Sequence, residues 1–249
     1  MKSLQELIKE SLINESNIDE SLIQECTDWI VDNYRSNYHG DIKPEKIKFA
    51  KKLNAEGKLV ASCPSIKTLC LSKDATSITN GKFVWDDVKK EFSVKYNENI
   101  TSLEGCPKVV GELFEAKGCP GLKNLIGGPI EAGFYECGMC ENLESLEGSP
   151  EKIEYVFNCS FCNKLKDLSG FGHTALNPIS LRCSNCKNLT SLNGCPKELK
   201  TLSCVYCDKL KSFSKGPKVI TTRLEIKGSG LTEKEVTKWC TVNGEIYNG

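Results

Sequence analysis

Cysteine is the residue type in this chain with the most chemical potential, and eight of the fifteen cysteines form regularly spaced C-x-x-C pairs. The pairs are Cys137/Cys140, Cys159/Cys162, Cys183/Cys186 and Cys204/Cys207. Four thiolates arranged as a tetrahedron would bind zinc, and neighbouring thiols could also respond to redox conditions. Alternatively, a reduced cysteine packs in a protein interior as a small apolar side chain.

The pairs belong to a longer repeated pattern, apolar-x-Cys-x-x-Cys-x-x-Leu-x-x-Leu-x-Gly-x-Pro. The copy that begins at Tyr135 ends with Gly148 and Pro150. Steps of 21 to 24 residues separate the successive occupants of the first-cysteine position. These occupants are Leu71, Val94, Ala116, Cys137, Cys159, Cys183, Cys204 and Ile226. Apolar residues without ligand atoms hold half of these positions, so we interpret all eight paired cysteines as structural core and predict neither a metal nor a cofactor.

A repeat of about 22 residues cannot bury its own apolar side chains, so successive copies must stack into one continuous core. With its leucine skeleton, the stretch from about 63 to 230 resembles the leucine-rich-repeat family, in a bacterial or phage-like form that carries cysteine and Gly-x-Pro. The resemblance implies an α/β solenoid of about seven to eight coils that binds proteins on a concave strand face. Some bacterial members carry a ubiquitin-ligase domain after the repeats, and that activity is not implied here.

Two shorter segments flank the repeats. We predict an N-terminal helical segment at 1–60, a leucine-rich-repeat solenoid at 61–230 and a C-terminal cap at 231–249. Apolar spacing predicts helices at 2–15 and 18–34 and a closing helix at 231–240. Asp41 as a cap and Pro44 in the first turn predict a further helix at 41–54. Thr232 would cap the closing helix, with Glu235 three residues later as in a capping box.

Composition narrows the classes of partner. The 33 basic and 33 acidic side chains balance to a net charge of zero, which argues against a nucleic-acid-binding protein. No apolar run is long enough to span a bilayer, and the first residues lack the apolar core of a secretory signal. We therefore expect a cytoplasmic protein with reduced cysteines and no membrane partner.

Catalytic constellations are not evident in the sequence. The two histidines, His39 and His173, could assist a cysteine nucleophile only if a thiol were exposed and activated. The repeat instead places most thiols inside. No phosphate-binding loop, paired catalytic carboxylates or nucleophile elbow appears, so we predict that the protein is not an enzyme.

Outward-facing strand positions offer the best candidate for a binding surface. In the position two residues after the first cysteine, several coils carry an apolar or aromatic residue where polar residues are expected, and such residues are enriched in interface cores. The column just before the first cysteine contains Glu136 and Arg182. The candidate partner-binding residues, for a protein partner, are Tyr96, Glu136, Met139, Phe161, Arg182 and Tyr206.

A second resemblance concerns residues 1–25, which are similar to the capsid-targeting segments of large tailed phages. In those segments a protease cleaves after Glu in a (Leu/Ile)-x-Glu pattern. The pattern occurs here at Glu6, Glu10, Glu15, Glu20 and Glu25. An acidic amphipathic helix would produce the same triplets. The resemblance implies an alternative function, a phage internal or cargo protein, and a zinc- or redox-responsive protein is a second alternative.

Overall fold

The computed structural model describes residues 18–36, 40–172 and 179–248, which form a mostly-β parallel solenoid of about eight turns. Each turn is called a coil below. The successive parallel strands are β5 (Thr68–Leu71), β7 (Glu91–Ser93), β8 (Val109–Glu115), β9 (Glu131–Glu136), β10 (Lys152–Asn158), β11 (Ser180–Arg182), β12 (Glu198–Ser203) and β13 (Val219–Glu225). The predicted solenoid is confirmed. Its class is mostly β and not α/β, because turns rather than helices connect these strands within the described ranges.

Strand register explains how the repeat becomes a core. Phe114 pairs with Phe92 on one side and with Tyr135 on the other, so equivalent positions stack directly on each other. The ring centroids of Phe114 and Tyr135 are 4.7 Å apart, and those of Tyr135 and Phe157 are 5.3 Å apart. Each column of the sequence pattern is therefore a continuous file of side chains through the molecule.

The first coil is covered at its outer edge by N-terminal elements. Helix α1 (Glu20–Asn33) leads into β1 (Tyr34–Ser36), which pairs antiparallel with β5 and with β2 (Gly40–Asp41). The side chain of Asp19 caps α1 by accepting a hydrogen bond from the Ser21 N–H at 2.9 Å. The predicted helix at 18–34 is thus confirmed with slightly closer bounds.

Two sequence predictions concern the remainder of the N-terminal segment. The helix at 2–15, and the cleavage motifs up to Glu15, lie outside the described residues. Glu20 is the first residue of α1, and Glu25 lies within α1, where it forms an ion pair with Lys82.

The predicted helix at 41–54 is wrong. This stretch contains one 3₁₀ turn (Pro44–Lys46) and then β3 (Lys48–Phe49), which pairs with β4 (Leu59–Ser62). A second small sheet results when β6 (Phe83–Trp85) pairs with the other edge of β4. Pairing with β4 supplies the backbone hydrogen bonds that a helix would have supplied.

At the other end of the solenoid, helix α2 (Glu233–Thr237) caps the last coil. The Thr232 hydroxyl accepts a hydrogen bond from the Glu235 N–H at 3.2 Å, as the sequence predicts, and Val236 is buried. Two strands that were not predicted, β14 (Thr241–Val242) and β15 (Glu245–Tyr247), then pair in parallel with β13. Within the described residues, no helix is long and apolar enough to span a membrane.

The glycine of the Gly-x-Pro turn interlocks neighbouring coils. Gly148 has a φ of +86°, and a Cβ at that position would lie 2.3 Å from the backbone nitrogen of Ile126 in the preceding coil. Gly81 has a similar φ of +80°, but a Cβ there would meet no atom within 4 Å. A side chain at Gly148 would therefore meet both an unfavourable φ and a contact with the neighbouring coil, whereas a side chain at Gly81 would meet only the unfavourable φ.

We expect Gly148→Ala to lower the free energy of unfolding by about 3 kcal/mol, since a left-handed alanine costs about 1–2 kcal/mol and the overpacked contact adds a similar amount. Gly81→Ala, the matched control, should lower the free energy of unfolding only by the cost of the left-handed alanine, about 1–2 kcal/mol. Urea denaturation of both variants measures the difference. Equal losses would show that the contact between coils contributes nothing.

Candidate functional site

The eight paired cysteines lie in the solenoid core, each with no exposed surface. In every pair the second thiol donates to a backbone carbonyl of the preceding coil. The Sγ–O distances are 3.1 Å for Cys140 to Ala116, 3.3 Å for Cys162 to Cys137, 3.3 Å for Cys186 to Cys159 and 3.1 Å for Cys207 to Cys183. These thiols therefore satisfy buried backbone acceptors.

Burial also makes the thiols hard to ionise. It raises the pKa of Cys140 and Cys207 to about 11 and that of Cys186 to about 12. Thiolates are the nucleophilic and metal-binding form of cysteine. In the part of the chain that the structure describes, no three or more His, Cys, Asp or Glu side chains are grouped to hold a metal ion. His39 and His173 lie outside that part, and the zinc- or redox-responsive alternative stays a prediction.

Asn97 occupies the second-cysteine position in the coil of β7, and its amide is fully buried. Its Nδ2 donates to the carbonyls of Ser72 at 2.7 Å and Ala75 at 2.9 Å. Its Oδ1 accepts from the backbone N–H groups of Asn99 at 2.8 Å and Ile100 at 2.9 Å. One side chain thus satisfies four backbone groups at a bend.

A polar column crosses the outward face of the parallel sheet. In it, Glu115 forms an ion pair with Lys95 at 3.0 Å. Glu136 is half-buried and accepts a hydrogen bond from Asn158 Nδ2 at 2.7 Å. Burial raises the pKa of the Glu136 carboxyl, and the bond from Asn158 opposes that shift.

The carboxyl ends of the strands carry four large exposed residues, which we call the rim strip: Tyr96, Met139, Phe161 and Tyr206. Their side chains are 41–50% exposed. All four have a positive φ, between +54° and +63°. The same column contains Gly118, Asn185 and Gly228, also at positive φ, and glycine and asparagine are the residues that adopt this conformation at low cost.

Hydrogen bonding between coils holds the rim strip in this conformation. The backbone N–H of Met139 donates to the Ser160 carbonyl at 2.8 Å, and that of Phe161 donates to the Ser184 carbonyl at 2.8 Å. Tyr96 and Tyr206 make the equivalent bonds. Because these N–H groups are already used within the solenoid, a partner at the rim strip would have to be recognised through side chains.

Both tyrosines of the rim strip lie against a glycine of the next coil. A Cβ at Gly118 would fall 2.5 Å from Cδ1 of Tyr96, and a Cβ at Gly228 would fall 2.4 Å from Cδ1 of Tyr206. The glycines therefore give each ring room to lie across the neighbouring coil.

Sequence reasoning missed a second exposed group, which we call the aromatic pair: Phe134 on β9 and Tyr155 on β10. They are 39% and 48% exposed, and their ring centroids are 4.9 Å apart. Phe134 lies two residues before Glu136, so strand alternation could have placed it on the outward face. Tyr155 could not be placed in this way, because the pairing of β10 with β9 shifts register between Ile153 and Val156.

The structure brings only part of the predicted site together. Glu136 and Met139 belong to the coil of β9, Phe161 follows on the next coil, and Arg182 ends β11. Tyr96 and Tyr206 lie five coils apart, which is roughly 24 Å at about 4.8 Å per strand. The centre of the predicted surface is therefore on the coils of β9 and β10, where the aromatic pair also lies.

Comparisons with protein-family models, with curated proteins and with solved structures found no match for this chain. The fold and the site define a class by themselves: a β-solenoid filled with leucine and cysteine, whose outward sheet face has a polar column bordered by exposed apolar side chains.

Proposed function

We propose that this protein is a non-enzymatic scaffold that binds a protein partner on the outward face of its parallel sheet. The observation that carries the proposal is the rim strip, in which four large apolar residues are exposed at positive φ. Backbone strain of this kind costs of order 1 kcal/mol or more for each residue and is concentrated at functional positions. Gly118, Asn185 and Gly228, in the same column, are the low-strain alternatives that the four coils of the rim strip do not use.

Two further points support the proposal. The resemblance to leucine-rich repeats implies a binding role for the strand face, and membership of that family is part of what we propose. A reducing compartment suits the chain because fourteen of the fifteen cysteines are buried as free thiols, and Cys195 is half-buried.

The test replaces two members of the rim strip with the residue that the column itself tolerates. We expect Phe161→Asn combined with Tyr206→Asn to reduce the capture of partner protein from native host cells at least tenfold. The free energy of unfolding should stay the same or rise by about 1 kcal/mol, because asparagine relieves the positive-φ strain. Quantitative mass spectrometry of the captured proteins and urea denaturation give the two readouts.

The matched control is Ile126→Asn, which replaces an apolar side chain of similar exposure, 46%, in a turn outside the sheet. A partner must be retained by the wild type and by this control, and lost from the double variant. If all three proteins retain the same set, or if the double variant is clearly less stable, the rim strip is structural and the proposal is wrong.

A further inference from the structure

Two opposite charges in the polar column, Glu136 and Arg182, form no direct ion pair among the described residues, although the charge of Arg182 acts on the Glu136 carboxyl at longer range. Glu136 accepts its hydrogen bond from the neutral amide of Asn158, whereas Glu115 in the same column is neutralised by Lys95. Arg182 is exposed and makes no ion pair with a described acid. The strand register places Glu136, Asn158 and Arg182 side by side on three successive coils. The column therefore presents an anion and a cation two strand spacings apart, about 10 Å.

The surface around these charges, which we call the charged face, is flanked by exposed apolar side chains. The aromatic pair borders it at the amino end of the strands, and Met139 and Phe161 border it at the carboxyl end. From Phe134 to Glu136 the strand advances roughly 7 Å at about 3.3 Å per residue, and Met139 lies beyond the strand, in a turn. An α-helix that lies across the strands is about 10–12 Å wide with its side chains, so its side chains can contact both borders.

The spacing of the charges selects the conformation of the ligand. In an α-helix, residues i and i+7 lie on one face about 10.5 Å apart, and residues i+3 and i+4 lie between them, one toward each side. In an extended chain, residues about 10 Å apart are three positions apart and point to opposite faces. A helix can thus reach both charges and both apolar borders, and an extended chain cannot.

We propose that the charged face binds one amphipathic helix of a partner protein with the pattern cation-x-x-apolar-apolar-x-x-anion. The cation of the helix pairs with Glu136, its anion pairs with Arg182, and its two central apolar side chains contact the aromatic pair on one side and Met139 and Phe161 on the other. Glu136 and Arg182 are then the specificity-determining residues of the surface. The inference rests on the proposed function and names the class of partner.

The test uses a fluorescein-labelled, alanine-based helical peptide that carries Lys-x-x-Leu-Leu-x-x-Glu once, titrated with the full-length protein and followed by fluorescence anisotropy. We expect saturable binding that Glu136→Gln and Arg182→Gln each weaken tenfold or more. The matched control Glu147→Gln removes an exposed carboxylate in a turn outside the sheet and should leave the affinity unchanged. When the peptide lysine is replaced by glutamine, Glu136→Gln should have little further effect, since the pair that it breaks is already absent.

The absence of binding up to about 1 mM peptide would overturn the inference, and so would binding that is insensitive to Glu136→Gln. Neither result would contradict the proposed function, which the capture experiment tests separately. A partner whose capture depends on Phe161 and Tyr206, but not on Glu136 or Arg182, would retain the scaffold and exclude the helix.

Discussion

Alkaline titration is expected to unfold this protein cooperatively between about pH 9 and pH 10. The cause is the set of eight paired cysteines in the core, whose thiols have an ordinary pKa of 9.0 and a raised pKa in the fold because burial disfavours the thiolate. Above pH 9 the unfolded chain loses these protons and the folded chain keeps them. The contribution of these thiols to the free energy of unfolding is therefore fully present below pH 9. It falls as the pH rises toward the folded-state pKa values, which are about 11 for Cys140 and about 12 for Cys186.

The expected size of this effect exceeds that of any single substitution. Each thiol whose proton is held only in the folded state removes about 1 kcal/mol of stability for each pH unit. Eight such thiols together remove on the order of 10 kcal/mol per unit, and the whole stability of a typical domain is about 5–15 kcal/mol. Urea denaturation followed by tryptophan fluorescence, repeated from pH 7 to pH 10, measures the slope.

The chain offers its own control for the alkaline effect. Ala116 occupies the first-cysteine column with no exposed surface, so alanine is compatible with that position. Cys137→Ala combined with Cys159→Ala should lose some stability at neutral pH and should lower the slope above pH 9 by about 2 kcal/mol per unit. An unchanged slope, or a wild-type protein that stays folded at pH 10.5, would show that the buried thiols do not control alkaline stability.

The core was predictable because each column of the repeat occurs several times in the chain, and its occupants agree in residue type. Leu202 and Cys204 are buried and Ser203 is half-buried, as strand alternation requires, and the parallel register repeats this arrangement from coil to coil. One strand alone would not have shown which of its faces points inward. A column occupied by leucine, valine, alanine and cysteine does show it. The segment 41–54 has no second copy in the chain, so no other coil could test the helix that Asp41 and Pro44 predict there.

The backbone geometry of the rim strip was harder to predict from the sequence, although one pattern indicated it. Gly118, Asn185 and Gly228 share its column, and these residue types indicate a left-handed backbone. That the same conformation is imposed on Met139 and Phe161 follows from hydrogen bonds between coils, which depend on register and not on residue type. The aromatic pair depends in part on the register shift in β10, which no local pattern reveals.

Asn97→Ala is expected to lower the free energy of unfolding by about 4 kcal/mol. The substitution leaves the carbonyls of Ser72 and Ala75 and the N–H groups of Asn99 and Ile100 without their present partner. Each buried polar group left unsatisfied costs about 1–3 kcal/mol, and local rearrangement recovers part of the total. Urea denaturation at pH 7 gives the value. The matched control is Asn99→Ala, which removes an exposed side chain and one long bond of 3.3 Å to the Lys73 carbonyl and should lose less than about 1 kcal/mol.

Replacement by the residue that the other coils use makes this test more specific. Cys119, one coil further, donates a single thiol hydrogen bond to the Val94 carbonyl at 3.1 Å. Asn97→Cys can therefore satisfy one carbonyl but cannot accept from two N–H groups, and we expect a loss about midway between those of wild type and Asn97→Ala. If the cysteine variant is as stable as the wild type, the four hydrogen bonds of Asn97 do not stabilise the fold. The position then requires only a small buried side chain.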